Sequence, residues 1–195
     1  MNAYLENTAF AAKSIIAAYA QEFHELHKQI ARYQDAAEWL ERQGEKVEQT
    51  SAGRADAMVK MFAQCREAVL EVIRLSSAIR DRELATQALC GALLQIAKQG
   101  ISTVHRRPQN CPDGRFIGTQ PIKNVIWQGR NQTMHYDDVR GLDPPVIACF
   151  QRLDADLSRT FSALVHSTNL ATHVIDILGW HTYEAYEKDM TTLLP

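Results

Sequence analysis

The stretch LENTAFAAKSIIAAYAQEFHELHKQIARYQDAAEWLERQGEKV, Leu5 to Val47, decides the fold. Within it Leu5, Ala9, Ala12, Ile16, Tyr19, Phe23, Leu26, Ile30, Tyr33, Ala37, Leu40, Gly44 and Val47 recur at an unbroken spacing of four and three. That is the period of a helix laying one apolar stripe against another helix. Read as one straight helix, Ala3 to Gln49 would be roughly 70 Å long at about 1.5 Å per residue, which is long for a domain of this size. The reading predicts either a break near Gly44 or a projecting arm.

Outward from that stretch the helical period continues. After "TSAG", Thr50 to Gly53, a second seam runs through Met58, Phe62, Cys65, Val69, Val72, Ser76 and Ile79. A third helix is predicted from Arg82 to about Val104, central because "ALCGALLQIA" is almost continuously apolar. The stretch "HRRPQNCPDGRFIGTQP" reads as an irregular loop, rich in Pro, Gly and Asn. Pro121 suits the first turn of the next helix, with Thr119 or Gln120 as its cap, and that helix should end near "RGLDPP". Two further segments follow, Val146 to Val165 and Leu170 to Leu194, the latter breaking at "LGWH". Strand-like alternation is absent. The expectation is an all-α helical bundle forming a single domain over 1–195. It comprises a long N-terminal helix or helical pair over 1–50, a bundle over about 54–165 and C-terminal helices over 166–195.

The 195 residues are 46% hydrophobic and 23% charged, the balance of a globular chain that can bury a core without staples. No apolar run approaches the roughly 20 residues of a membrane span, and the N-terminus lacks the pattern of a secretory signal, so a cytoplasmic protein with no membrane partner is expected. Cys65, Cys90, Cys111 and Cys149 form no C-x-x-C pair and read as reduced, mostly buried thiols. A formal net charge of -2 argues against nonspecific coating of nucleic acid. Locally the sign reverses: from Ile101 to Tyr136, Arg106, Arg107, Arg115, Lys123 and Arg130 face the single acid Asp113.

At the end of that positive segment, and running two aspartates beyond it, lies "IWQGRNQTMHYDD", Ile126 to Asp138. At about 100° per residue, Ile122, Val125, Ile126, Gly129, Thr133 and Tyr136 fall on one side, with Gly129 allowing another helix close. Trp127, Asn131, Met134 and His135 fall on the other, a mixture suited to a contact surface. Asn131 and His135 are four apart, so the amide is placed to fix the imidazole's tautomer. Arg130 lies roughly 140° from His135, so it must either curl round or meet a histidine of another chain.

Arg130-Asn131-Gln132-Thr133-Met134-His135 resembles the R-x(4 to 6)-H motif of the HEPN superfamily, with a polar residue directly after the arginine as is typical there. The resemblance covers roughly Arg54 to Val165. It implies an all-α bundle, commonly dimeric, with the motif facing the two-fold axis, and for many members a metal-independent endoribonuclease serving toxin-antitoxin or phage-defence systems. It assigns Arg130, Asn131 and His135 as catalytic and places Trp127 and Met134 at the dimer interface. RNA is the implied substrate and an antitoxin protein a further partner, and no metal or cofactor is called for. The basic residues Arg106, Arg107, Arg115 and Lys123 are expected to hold the RNA backbone. Histidine suits proton transfer near neutral pH, and arginine gives a fixed, always charged grip on phosphate. One chain supplies one histidine, a physical reason for two motifs to meet across an axis. The alternatives are a catalytically silent HEPN module binding nucleotide, RNA or a partner protein through the same face, and a purely structural scaffold.

A second match, Arg159 to His166 in "RTFSALVH", ranks lower because Thr160 rather than a strongly polar amide follows its arginine. The competing plain reading of Arg130 and His135 is a surface ion-pair cluster with Asp137 and Asp138. His24 and His27 are three apart but lack a third ligand, and Trp39 and Trp180 read as core or interface aromatics. Neither a glycine-rich phosphate loop nor a G-x-S-x-G nucleophile motif occurs.

Overall fold

The computed structural model describes residues 2–49 and 55–195. It is all-α with a long N-terminal helix. Helix α1 spans Ala3–Gln49 and α2 Ala55–His105. A 3-10 turn at Pro108–Asn110 leads to the two-residue strands β1, Phe116–Ile117, and β2, Gln120–Pro121. Then follow α3 (Ile122–His135), α4 (Pro144–Leu157), α5 (Phe161–Leu164), α6 (Ala171–Leu178) and α7 (Tyr183–Leu193). The expected break near Gly44 does not occur in the backbone: α1 continues to Gln49. The "TSAG" punctuation lies outside the described residues, as do the side chains of Val47 and Met58.

The chain divides into two compact units, one of residues 1–20 with 86–195 and one of residues 21–85. In the second, two helical segments pack along a seam that differs from the predicted one. Cys65, Val72, Ser76 and Ile79 are partly covered as expected, but Met61, Ala68 and Leu75 are covered where Phe62 and Val69 were predicted to be. Phe62 and Val69 lie exposed, together with Val59, Leu70 and Ile73. Both choices satisfy a spacing of three and four, and α2 carries apolar residues on more than one stripe, so periodicity alone does not select the buried one. On α1, Leu26 is buried where predicted, whereas Phe23 is exposed and packs its ring on His27. Arg82 forms an ion pair with Glu22 across the two segments.

The predicted boundary at Arg82 is also absent, since α2 runs without interruption to His105. Nothing between Ser76 and Leu84 is a glycine or proline, and the charged run there is, apart from Asp81, made of good helix formers. The C-terminal part of α2 is central to the first unit, as expected: Cys90, Leu93, Leu94, Ala97 and Ile101 are all buried. Each leucine there contributes about 1.5–3 kcal/mol by leaving water. Leu5, Ala12, Ile16 and Tyr19 of α1 join the same core, as do Phe150 and Leu153 of α4, Val174 and Ile175 of α6, and Met190 and Leu193 of α7. Cys90, Cys111 and Cys149 are buried free thiols, and burial raises Cys90 and Cys149 to about 12 and Cys111 to about 11.

The loop before α3 is more ordered than its composition suggests. Phe116–Ile117 pairs antiparallel with Gln120–Pro121 through a turn at Gly118–Thr119. Gly118 has φ +58, and a Cβ there would stand 2.4 Å from the side chain of Asp156. Asp156 accepts from both the backbone N–H and the hydroxyl of Thr119, each at 2.7 Å, which lowers its carboxyl from the ordinary carboxylate value. The cap of α3 is Pro121, not Thr119 or Gln120: Thr119 is turned to Asp156 in the hairpin turn, and β2 runs through Gln120 to Pro121 before the helix begins at Ile122. Arg115 reaches across to α7, placing Nε 2.8 Å and Nη2 2.9 Å from the two carboxylate oxygens of buried Asp189, which also accepts from Trp180 Nε1 at 2.8 Å.

Two breaks shape the C-terminal part. The predicted segment Val146 to Val165 is split: Ser158 takes a left-handed conformation at the end of α4, and Asp154 accepts from the N–H groups of Phe161 and Ser162 to start α5. The break at "LGWH" is present, with Gly179 at φ +67 closing α6 and Thr182 capping α7. Among the described residues no helix is long and apolar enough to cross a membrane.

Candidate functional site

Helix α3 is held from below by close contacts. Ile122, Val125, Ile126, Gly129 and Thr133 are buried on the predicted side. A Cβ on Gly129 would lie 2.8 Å from Val174 of α6, so the glycine does admit a neighbouring helix. Gly129→Ala is expected to cost about 1–3 kcal/mol by overpacking, with helical content retained at low temperature and an earlier urea midpoint. An unchanged midpoint would mean that α6 yields without strain.

Gln132 belongs to the same buried side and was not singled out from the sequence. Its amide nitrogen donates to the carbonyls of Val165 at 2.9 Å and Thr168 at 2.7 Å, and its oxygen accepts from Leu170 N–H at 2.9 Å. The signal was available, since Gln132 lies three residues after Gly129 and seven after Val125, on the apolar arc.

The three motif residues stand on the last two turns of α3, and they point in different directions. Arg130 Nε donates to Gln95 Oε1 of α2 at 2.6 Å. Its Nη1 lies 3.5 Å from Asn131 Oδ1. His135 Nδ1 meets Asp138 Oδ2 at 2.8 Å, so the expected contact of Asn131 with the ring is replaced by one from the acid a turn later. Helix α3 stops at His135, which frees the following residues to fold back as a turn and bring Asp138 within reach. If Nδ1 carries the proton donated to Asp138, Nε2 keeps its lone pair. Asn131, His135 and Asp138 line an open cleft of about 310 Å³ together with Arg140, Gly141, Leu142, Asp143 and Val146. Arg130 is not among its walls.

Met134 is 52% exposed on the outer face, and Trp127 is half-buried, with its ring beneath the ammonium of Lys98 at 4.5 Å from the centroid. Of the bases expected to hold RNA, Arg115 is engaged by Asp189 and Lys123 donates to Asp113 and to the Cys111 carbonyl. Arg106 and Arg107 are exposed at the end of α2, Arg106 in a left-handed conformation with φ 64. The second motif match is spread over turns rather than one helix: Arg159 follows the α4 terminus and His166 follows α5, both exposed. His27 Nδ1 donates to the Phe23 carbonyl, 2.9 Å away. Trp180 is fully buried and Trp39 partly so. Set beside known protein families, curated proteins and solved structures, the chain finds no match in any of the three.

Proposed function

We propose that the protein is a metal-independent endoribonuclease of HEPN type, acting as a homodimer. The observation that carries this reading is the placement of Arg130, Asn131 and His135 on the exposed end of one helix. The imidazole there is backed by Asp138 and opens on a cleft, and among the described residues no carboxylate lies within ion-pair distance of Arg130. In the reaction His135 takes the proton from the 2′-hydroxyl, the alkoxide attacks the adjacent phosphorus, and the 5′-oxygen leaves with a proton from the partner's histidine. Arginine stabilises the charge on the pentacoordinate phosphorus through its planar fork. Because Arg130 turns toward Gln95 while His135 lines the cleft, the arginine of one copy serves the histidine of the other. Met134, exposed beside the motif, and Trp127 belong to the contact between copies. An effector of this kind would act in the cytoplasm as a toxin or in phage defence, restrained by an antitoxin protein.

Single-stranded RNA incubated with the protein in EDTA should yield 2′,3′-cyclic phosphate and 5′-hydroxyl ends, with DNA spared. Cleavage that requires magnesium or attacks DNA would refute the mechanism. Met134→Glu should shift the sedimenting species from dimer to monomer, and a wild type that is monomeric at tens of micromolar would remove the composite site. Arg106 and Arg107 remain the loop bases suited to the RNA backbone. Replacing both with Ser should reduce the salt dependence of binding by about 1.4 in log-log slope, at roughly 0.7 per phosphate contact.

The direction of Arg130 favours one other reading, a module of the same fold that binds nucleotide, RNA or a partner protein without cleaving. Binding without any cleavage by a verified dimer would select it.

A further inference from the structure

We propose that Lys98 and Arg130 together form a phosphate-binding site on the surface of α2 and α3, with the indole of Trp127 as its floor. The proposal rests on the reading of Arg130 as a phosphate-binding group, and it does not require that the protein cleave RNA. Gln95 and Lys98 are three apart on α2, and Trp127 and Arg130 are three apart on α3, so each pair shares a helix face. The pairs meet as two rungs: Gln95 with Arg130 through a 2.6 Å hydrogen bond, and Lys98 with Trp127 through the ammonium 4.5 Å from the ring centroid. All four belong to the unit formed by residues 1–20 and 86–195. The two rungs bring two basic groups, the Lys98 ammonium and the Arg130 guanidinium, within electrostatic reach of each other.

What distinguishes this pair is the lack of an acid. The other partly buried bases among the described residues are neutralised internally, Arg82 by Glu22 and Lys123 by Asp113, and even the more exposed Arg115 is paired with Asp189. Among the described residues no carboxylate lies within ion-pair distance of Lys98 or Arg130. Burial first, and then the charge of Arg130, lower the Lys98 ammonium from the ordinary lysine value, so the chain keeps this pair at an electrostatic cost. An anion between them reverses the sign of that cost.

The free donors set the ligand class. Gln95 occupies Arg130 Nε and Asn131 lies at 3.5 Å from Nη1, leaving the outer guanidinium edge open. A cation over a ring uses none of the ammonium's three donors. Two donors on separate rungs match the two non-bridging oxygens of a phosphodiester, or neighbouring oxygens of a polyphosphate chain. The shared chemistry is phosphate, carried either by an RNA backbone or by a nucleoside polyphosphate.

Trp127 supplies the readout, because a bound phosphate draws the ammonium away from its ring. The wild-type protein is titrated, with tryptophan fluorescence recorded, against a short 2′-O-methyl oligouridylate, which lacks the nucleophile for cleavage, and separately against ADP. Trp127→Phe identifies the responding tryptophan. A response to the oligonucleotide alone assigns the site to an RNA backbone, and a response to ADP alone assigns it to a nucleoside polyphosphate. Lys98→Gln should weaken the responding ligand roughly tenfold, the loss of one charge-assisted contact, and for the oligonucleotide should reduce the log-log salt slope by about 0.7. Lys98→Met, which keeps the aliphatic stem over the ring, should match it. Arg159→Ala, which removes an exposed charge in a separate turn, should bind like wild type, and because neither probe can be cleaved, loss of this site is read separately from loss of cleavage. The proposal is overturned if neither ligand changes the Trp127 signal, or if both Lys98 variants bind with wild-type affinity and salt slope.

Discussion

His135→Ala should lower RNA cleavage by at least the roughly 10²- to 10⁴-fold that positioned proton transfer supplies, with the protein still folded and dimeric. The imidazole is half-exposed at the end of α3 and is hydrogen-bonded to Asp138, so removing it opens no cavity in the core. A fall in cleavage therefore reports chemistry rather than unfolding. Asp138→Asn separates the ring's orientation from its charge. The amide oxygen can still accept from Nδ1–H and hold the same tautomer, but the carboxylate no longer stabilises the imidazolium formed as the 2′-hydroxyl loses its proton. Its cleavage should fall between wild type and His135→Ala. Asp138→Leu should fall further, and nitrogen shifts of the neutral ring should show the proton moved from Nδ1. Arg130→Lys keeps the charge and loses the planar fork, so it should be nearly as impaired as removal of the arginine. Arg159→Ala and His166→Ala should change little, since those two side chains stand in separate turns. Cleavage that survives His135→Ala would show that the motif does not carry the reaction.

The all-α architecture was legible because its signal is long: the stripe from Leu5 to Leu40 repeats so often that a few mismatched positions do not obscure it. The position of the second stripe was not. Around Phe62 and Val69 the helix is apolar on two adjacent arcs, and burial of Met61, Ala68 and Leu75 depends on where the other segment lies, a tertiary fact. Helix boundaries divide in the same way. Gly179 and the Pro144–Pro145 pair were visible as punctuation, whereas the end of α4 is made by Ser158 in a left-handed conformation and a carboxylate borrowed from Asp154. At the candidate site, the side of α3 facing the core followed from spacing, and so did the role of Gly129. The direction of Arg130 did not, because it depends on Gln95, thirty-five residues earlier in the chain. Lys98 sat unnoticed in an apolar run, where an isolated lysine is itself a signal. Arg115 and Lys123 read as free bases because their acids, Asp189 and Asp113, were not recognisable as partners from the charge count alone.

Gln132→Met should produce the largest loss of stability among the α3 variants, about 3–6 kcal/mol, measured as a fall in the urea midpoint with little change in slope. Methionine nearly conserves volume, so cavity formation contributes little. The hydrogen bonds are what disappear. Gln132 is fully buried, and without it Leu170 N–H and the carbonyls of Val165 and Thr168 lose their partner, at about 1–3 kcal/mol for each buried group left unpaired. Against a typical total of roughly 5–15 kcal/mol, that is a large share. Gln132→Glu should be at least as damaging, because an ionised carboxylate turns an acceptor toward two carbonyl oxygens where a donor stood. If Gln132→Met lies within about 1 kcal/mol of wild type, water or a shifted turn satisfies the same groups, and the clamp is not needed. The consequence reaches the motif. The segment that Gln132 holds leads directly into α6, whose Val174 closes on Gly129, and Gln132 and Thr133 stand between Arg130 and His135 in the chain. The middle of the interval between arginine and histidine, Gln132 and Thr133, is thus buried against the helix's neighbours. That fixes the angle at which the two polar side chains leave α3, and a destabilised Gln132 variant should lose cleavage more steeply with temperature than it loses helical content.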